Sequence, residues 1–133
     1  MRDIANILVI VIALLSLSVF SPGCKQELPK SDLQLAIETA SQQRTPENYL
    51  TLSLKYYEAK QYEKCIEAAR EALKLRPDYA LAYNNICAAY NNLGKYDEGI
   101  KACQEALVLD PRLNLAKNNL NWALSQERSN KKE

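Results

Sequence analysis

Residues 83–100 read YNNICAAYNNLGKYDEGI, and two kinds of side chain in them, carboxamide and thiol, could do chemistry. The pairs Asn84-Asn85 and Asn91-Asn92 could grip the backbone of a ligand, because a carboxamide both donates and accepts hydrogen bonds. Cys87 could be a nucleophile, a metal ligand or half of a disulfide, and Cys24, Cys65 and Cys103 are the other cysteines. Just upstream, Glu63, Glu67 and Glu71 recur every fourth residue, and paired carboxylates can do acid–base work. The rest of the chain weakens the catalytic versions. There is no histidine, so the commonest general base and metal ligand is missing. Cys65, Cys87 and Cys103 contain no CxxC pair and do not make a zinc pattern. The glutamates sit beside Lys64, Arg70 and Lys74, the composition of a solvated helix face laced with i,i+4 ion pairs. No nucleophile elbow or phosphate loop occurs. The expectation is no enzyme, no cofactor and no metal. A net charge of +1 over 133 residues gives no footprint for nucleic acid either.

The elements that carry these residues follow from apolar spacing. Ser31 and Asp32 are helix-capping types, and Leu33, Ala36, Ile37 and Ala40 follow at i, i+3, i+4, i+7. Thr45-Pro46 starts another helix, with proline at the first helical position. From Pro46 the sequence repeats at a spacing of 34: Tyr49 falls on Tyr83, Tyr56 on Tyr90, Tyr62 on Tyr96, Ile66 on Ile100, Ala72 on Ala106, Leu73 on Leu107, Leu75 on Leu109 and Pro77 on Pro111. Such a period points to a solenoid. Within one unit, Tyr83, Ile86, Cys87 and Tyr90 form one helical stripe. Leu93-Gly94-Lys95 breaks it. Tyr96, Ile100, Cys103, Ala106, Leu107 and Leu109 form a second, which Asp110-Pro111 stops. Each unit is a helix–turn–helix hairpin that buries its apolar face only by stacking on a neighbour.

These units resemble tetratricopeptide repeats. The signature places hold Tyr83, Ile86, Cys87, Tyr90, Gly99, Cys103, Ala106 and Pro111 in one unit, and Tyr49, Leu52, Ser53, Tyr56, Cys65, Ala69, Ala72 and Pro77 in the other. The fold class is therefore all-α, a right-handed helical-hairpin solenoid. It divides into an appended helix over 31–45, repeats over 46–79 and 80–113, a closing helix over 114–127 and a solvated tail over 128–133. If the appended helix does not dock, Tyr49 and Leu52 are exposed at one end, a natural self-association face. Cys65, Cys87 and Cys103 fall where the family places small or medium apolar residues. Packing is one reading of them, and a disulfide such as Cys87 with Cys103 is the other.

The resemblance also implies a concave groove lined by the first helix of each unit. Its lining is Leu50, Leu54 and Tyr57, then Leu81, Asn84, Asn85 and Ala88, then Asn118, Asn119 and Trp122. Asn84 and Asn118 are 34 apart, as are Asn85 and Asn119, so their carboxamides should form two short rows. The pattern is similar to the asparagine ladder in the repeat domain of O-linked N-acetylglucosamine transferases, and implies contact with the backbone of a peptide. The competing reading makes asparagine a helix–helix junction residue. Asn91 and Asn92 have no partners one repeat on, and read as a helix end. A two-carboxylate clamp for chaperone C-termini is not expected, because the places for cations hold Leu50, Leu115 and Asn119.

Residues 4–20, IANILVIVIALLSLSVF, form an apolar run after Arg2. A helix of this length spans roughly 26 Å, short of the ~30 Å hydrocarbon core. Ser21, Pro22 and Gly23 then lead to Cys24, which resembles the lipoprotein signal of bacteria, with Cys24 as lipid carrier. Ser21 departs from the leucine of that pattern. An uncleaved single-pass anchor and secretion with cleavage after Gly23 are the alternatives. Residues 1–23 are thus a signal peptide or anchor, and 24–30 a linker. The expected function is a protein-binding module tethered to a bacterial membrane, on the periplasmic or cell-envelope side, that takes a segment of a partner protein, with envelope assembly as the setting. The alternative is a self-associating structural subunit, hence a homo-oligomer.

Overall fold

The computed structural model describes residues 29–131. The expected leader, Cys24, most of the expected linker and the last two residues of the tail lie outside the described residues. Among the described residues there are six helices and no strand: α1 (Asp32–Gln42), α2 (Pro46–Glu58), α3 (Tyr62–Leu75), α4 (Ala80–Asn92), α5 (Tyr96–Leu109) and α6 (Asn114–Asn130). None of them is long and apolar enough to cross a membrane.

Two helix starts are fixed by side chains. Ser31 closes a capping box on α1: the Gln34 N–H donates to Ser31 Oγ at 3.2 Å, and the Ser31 N–H donates to Gln34 Oε1 at 3.0 Å. Thr45 Oγ1 accepts from the Asn48 N–H at 3.2 Å, with Pro46 following as the first helical residue. The later helices start without side-chain caps, from tight corners. The corners within the two hairpins share one backbone conformation, with φ of 58° at Lys60 and 72° at Gly94.

α2 with α3 and α4 with α5 form the two hairpins, α4 packs back on α3, and α6 closes the stack on α5 and α4. This is the all-α helical-hairpin solenoid expected from the period. Its core is made of small residues. Cys65, Ala69, Ala72, Ala82, Cys87, Ala89 and Cys103 are fully buried, with Ile66 and Ile86 among them and tyrosines around the margin. Small side chains let helices approach closely, and ring faces then seal the edges.

The first and last helices are closed differently. On the faces where α4 and α6 pack against the preceding helix, Ala82 and Ala89, then Ala116 and Ala123, are completely buried. The same places in α2 hold Asn48 and Lys55, too large and too polar for that contact. α1 lies there instead. Lys55 Nζ is 2.8 Å from Glu58 and 3.6 Å from Asp32, and Ala36 and Ala40 pack with Leu52 and Ala68. α1 therefore docks, and it buries Leu52. At the other end the helix runs past 127 to Asn130, so Arg128 to Asn130 are helical and not tail. Lys131 pairs with Glu127 one turn back, which favours the added turn.

Candidate partner-binding groove

One residue at the same place in each of α2, α4 and α6 forms a row across the stack: Leu54, Ala88 and Trp122. Leu54 is 44% exposed and Trp122 46%, with Ala88 half-buried between them. A leucine and an indole that stay this open on either side of a small residue give the row an apolar surface. Trp122 is held on edge against Tyr96, ring centroids 5.7 Å apart. At the other wall Tyr57 meets Tyr62 in the same way at 5.6 Å. Leu81 is exposed and Leu50 is half-buried. The row itself holds no titratable group, and the charged residues of α2 before and after Leu54 are paired: Glu47 with Arg76, and Glu58 with Lys55. The Glu47 carboxyl is held below its usual range, first by its own backbone N–H and then by Arg76.

The asparagines divide into wall and mortar. Asn118 is exposed. Asn84 is buried, and its Oδ1 accepts from Asn119 Nδ2 at 3.0 Å. Asn85 Nδ2 donates to Ser53 Oγ at 2.7 Å. Ser53 Oγ in turn donates to the Leu50 carbonyl, which completes its bonding inside a fully buried site. Three of the four carboxamides expected in rows thus tie one helix to the next.

Two residues read from the sequence as a helix end do more. Asn92 Nδ2 donates to Tyr57 OH at 3.0 Å, bridging α4 to α2 along the groove. Asn91 is only 4% exposed, and its Nδ2 donates to the Asn119 carbonyl of α6 at 3.0 Å. The signal was present: Asn84, Cys87 and Asn91 lie at i, i+3, i+7, one stripe of α4. Asn91 Oδ1 has no hydrogen-bond partner and presses on Gly99 of α5, where a Cβ would fall on it.

Cys87 and Cys103 are both fully buried, and they are joined in a disulfide with Cα atoms 5.2 Å apart. The packing reading and the disulfide reading of the sequence therefore hold together for this pair. Cys65 is the free cysteine among the described residues, and burial pushes its thiol up to about 12. Groups of three or more ligating side chains placed to hold a metal are absent among the described residues.

The tetratricopeptide repeat profile matches residues 46–79 and again 80–113. No curated protein is significantly similar in sequence. Among solved structures, the first repeat domain of human RPAP3 superposes with a TM-score of 0.71 at 20% identity, covering 76% of this chain and 80% of that one. The repeat domain of Arabidopsis OM64 gives 0.65 at 18% identity, covering 68% and 76%. MamA gives 0.58 at 18% identity, covering 76% and 70%.

Proposed function

Because the chain belongs to the tetratricopeptide repeat family, a family of protein–protein interaction modules, we propose that it is a tethered docking module whose concave groove receives a segment of a partner protein. Members of the family are typically scaffolds and not enzymes. The observation that carries the groove reading is the open row Leu54, Ala88 and Trp122. A leucine and the single tryptophan left this exposed along one row carry an energetic disadvantage of roughly 25 cal/mol per Å2 of apolar surface that a partner can cover.

The groove's chemistry selects the partner surface. Its floor is apolar and neutral, so it suits apolar side chains more than a carboxylate terminus. Leu54, Leu81 and Trp122 make the direct contact, with Asn118 as an open carboxamide at the α6 end. Asn84, Asn85 and Asn119 act behind them, holding α2, α4 and α6 at the spacing that shapes the groove. Tethering follows from the leader and Cys24, which would hold the module at a bacterial membrane on the envelope side. Self-association through the first-repeat end has less to recommend it, because α1 covers Leu52 there.

The test is photo-crosslinking in the native envelope from a probe placed beside Trp122, followed by identification of the captured protein. Ala88→Glu fills the groove with a charge without touching the core. Capture should fall by tenfold or more while helical content stays unchanged. Equal capture by a folded Ala88→Glu chain would remove the groove as the docking site. Acyl-lipid labelling that survives Cys24→Ala would remove the lipid tether.

A further inference from the structure

The two helix junctions of the stack occupy matching sequence positions but are wired differently, and the difference centres on the disulfide. At the α2/α4 junction, Asn85 Nδ2 donates to the Ser53 hydroxyl. One repeat on, the counterpart of Ser53 is Cys87 and the counterpart of Asn85 is Asn119. Asn119 turns instead to Asn84 Oδ1, and Asn91 enters to hold the Asn119 carbonyl. Asn91 Nδ2 also lies 3.6 Å from Cys87 Sγ. A continuous chain of contacts therefore runs Cys103–Cys87–Asn91–Asn119–Asn84, from the disulfide to the helix that carries Trp122.

We propose that the Cys87–Cys103 disulfide is the latch that docks α6, so that the groove is completed only once this pair has been oxidised. A bonded sulfur can only accept a hydrogen bond, and this fixes the Asn91 carboxamide with its NH2 toward Cys87 and α6. Its oxygen is then left without a partner against Gly99. In the dithiol form the Cys87 S–H becomes a donor beside that orphan acceptor. A turn of the carboxamide satisfies the oxygen but takes Nδ2 off the Asn119 carbonyl, which releases α6. The crosslink also closes a loop between cysteines 16 residues apart. Loop-closure entropy of that size favours the closed hairpin by roughly a hundredfold.

The latch closes by exchange. The two thiols give up two protons and two electrons to a dithiol–disulfide oxidant. A sulfur–sulfur bond forms between Cys87 and Cys103, and the oxidant leaves as its dithiol. Both sulfurs are fully buried in the finished fold, so the exchange precedes final docking of α6. Cys65 stays out of it, because burial keeps its thiol protonated up to about 12. The consequence for a partner rests on the groove reading, while the latch itself does not.

Amide hydrogen exchange on the full chain in detergent tests the latch without any partner. The oxidised chain is compared with one reduced by a water-soluble phosphine, and thiol counting confirms that the pair is open. Exchange across α6 should rise at least tenfold on reduction, with α2 and α3 within about twofold of their oxidised rates. Unchanged exchange in α6, or an equal rise in every helix, overturns the proposal. Cys87→Ala with Cys103→Ala removes the S–H donor together with the crosslink, so the Asn91 carboxamide keeps its bond to the Asn119 carbonyl and α6 should stay protected in the phosphine as well as out of it. If that double variant exchanges as fast as the reduced chain, the hydrogen-bond route through Asn91 and Asn119 is wrong. A failed partner capture would leave all of these exchange rates unchanged, which separates the latch from the docking reading.

Discussion

Replacing Lys60 by glycine should stabilise the protein, although it removes a whole side chain. Lys60 sits one residue past the C-cap of α2 with φ 58°, the left-handed region where a Cβ crowds the following carbonyl. The backbone there closes a Schellman turn: the Lys60 N–H donates to the Tyr57 carbonyl and the Gln61 N–H to the Tyr56 carbonyl, both at 2.9 Å. The turn fixes the conformation, so lysine bears its cost, about 1–2 kcal/mol for an L-residue. Glycine removes that cost but gains freedom in the unfolded chain, about 0.4–1 kcal/mol. The Lys60 side chain is exposed and makes no ion pair among the described residues, so nothing else is lost. The net gain is about 0.5–1 kcal/mol.

The second repeat supplies the control. Gly94 stands 34 residues on with φ 72°, in a turn closed by the same pattern, and a Cβ added there meets nothing within 4 Å. Any loss in Gly94→Ala is therefore conformational and not steric, about 1 kcal/mol. Thermal unfolding followed by circular dichroism reads both, since 1 kcal/mol moves Tm by roughly 4–8 °C in a domain of about this size. Lys60→Gly should raise Tm by ~2–6 °C, and Gly94→Ala should lower it by a similar amount. A fall in Tm for Lys60→Gly, alongside the expected fall for Gly94→Ala, would refute the reasoning, because it would mean that the lysine gains more from its surroundings than the turn costs it.

Gly99→Ala should destabilise by about 1–2 kcal/mol in urea unfolding: helix propensity gains almost 1, but the new Cβ lands on Asn91 Oδ1 and lies 3.4 Å from the Cys87 carbonyl, while Asn91 cannot retreat from its bond to Asn119. A more stable variant would mean that Asn91 is free to move. Cys65 makes stability pH-dependent at the alkaline end. Its folded thiol holds its proton to about 12, above the ordinary 9.0, so its contribution is complete below pH 9. It falls as pH rises from 9 to 12, by at most about 1.4 kcal/mol per unit. Cys65→Ala should remove that part of the slope, and an identical alkaline profile for the variant would contradict it.

The architecture was readable because it depends on size and period. A solenoid core asks only that small and aromatic residues return every 34 positions, and Tyr49, Tyr83, Ala72 and Ala106 meet that demand in plain sight. The closure of the first repeat was less legible. Asn48 and Lys55 differ from Ala82 and Ala89 at matched places, a sign that a helix of another kind packs on α2, but it acquires meaning only once the alanines are seen to be buried. The groove was legible as a row of positions. What each position does was not, since Asn84 and Asn118 share a place in the repeat, yet one is buried and the other open.

That difference has a physical source. An asparagine at a helix junction chooses its partner from the preceding helix, so its role is written one repeat earlier. Asn85 faces Ser53 and finds a hydroxyl. Asn119 has Cys87 as the counterpart of that serine, a sulfur already bonded to Cys103, and its Nδ2 donates to Asn84 Oδ1 instead. The residue that compensates, Asn91, comes from two turns further along α4 and has no counterpart in the first repeat, where Tyr57 stands. Donors and acceptors in such a solenoid are therefore matched between successive units. The repeated residues set the fold, whereas the places where matched residues cannot form matched bonds set what is particular to this chain. Here those places converge on one disulfide and the helix it holds.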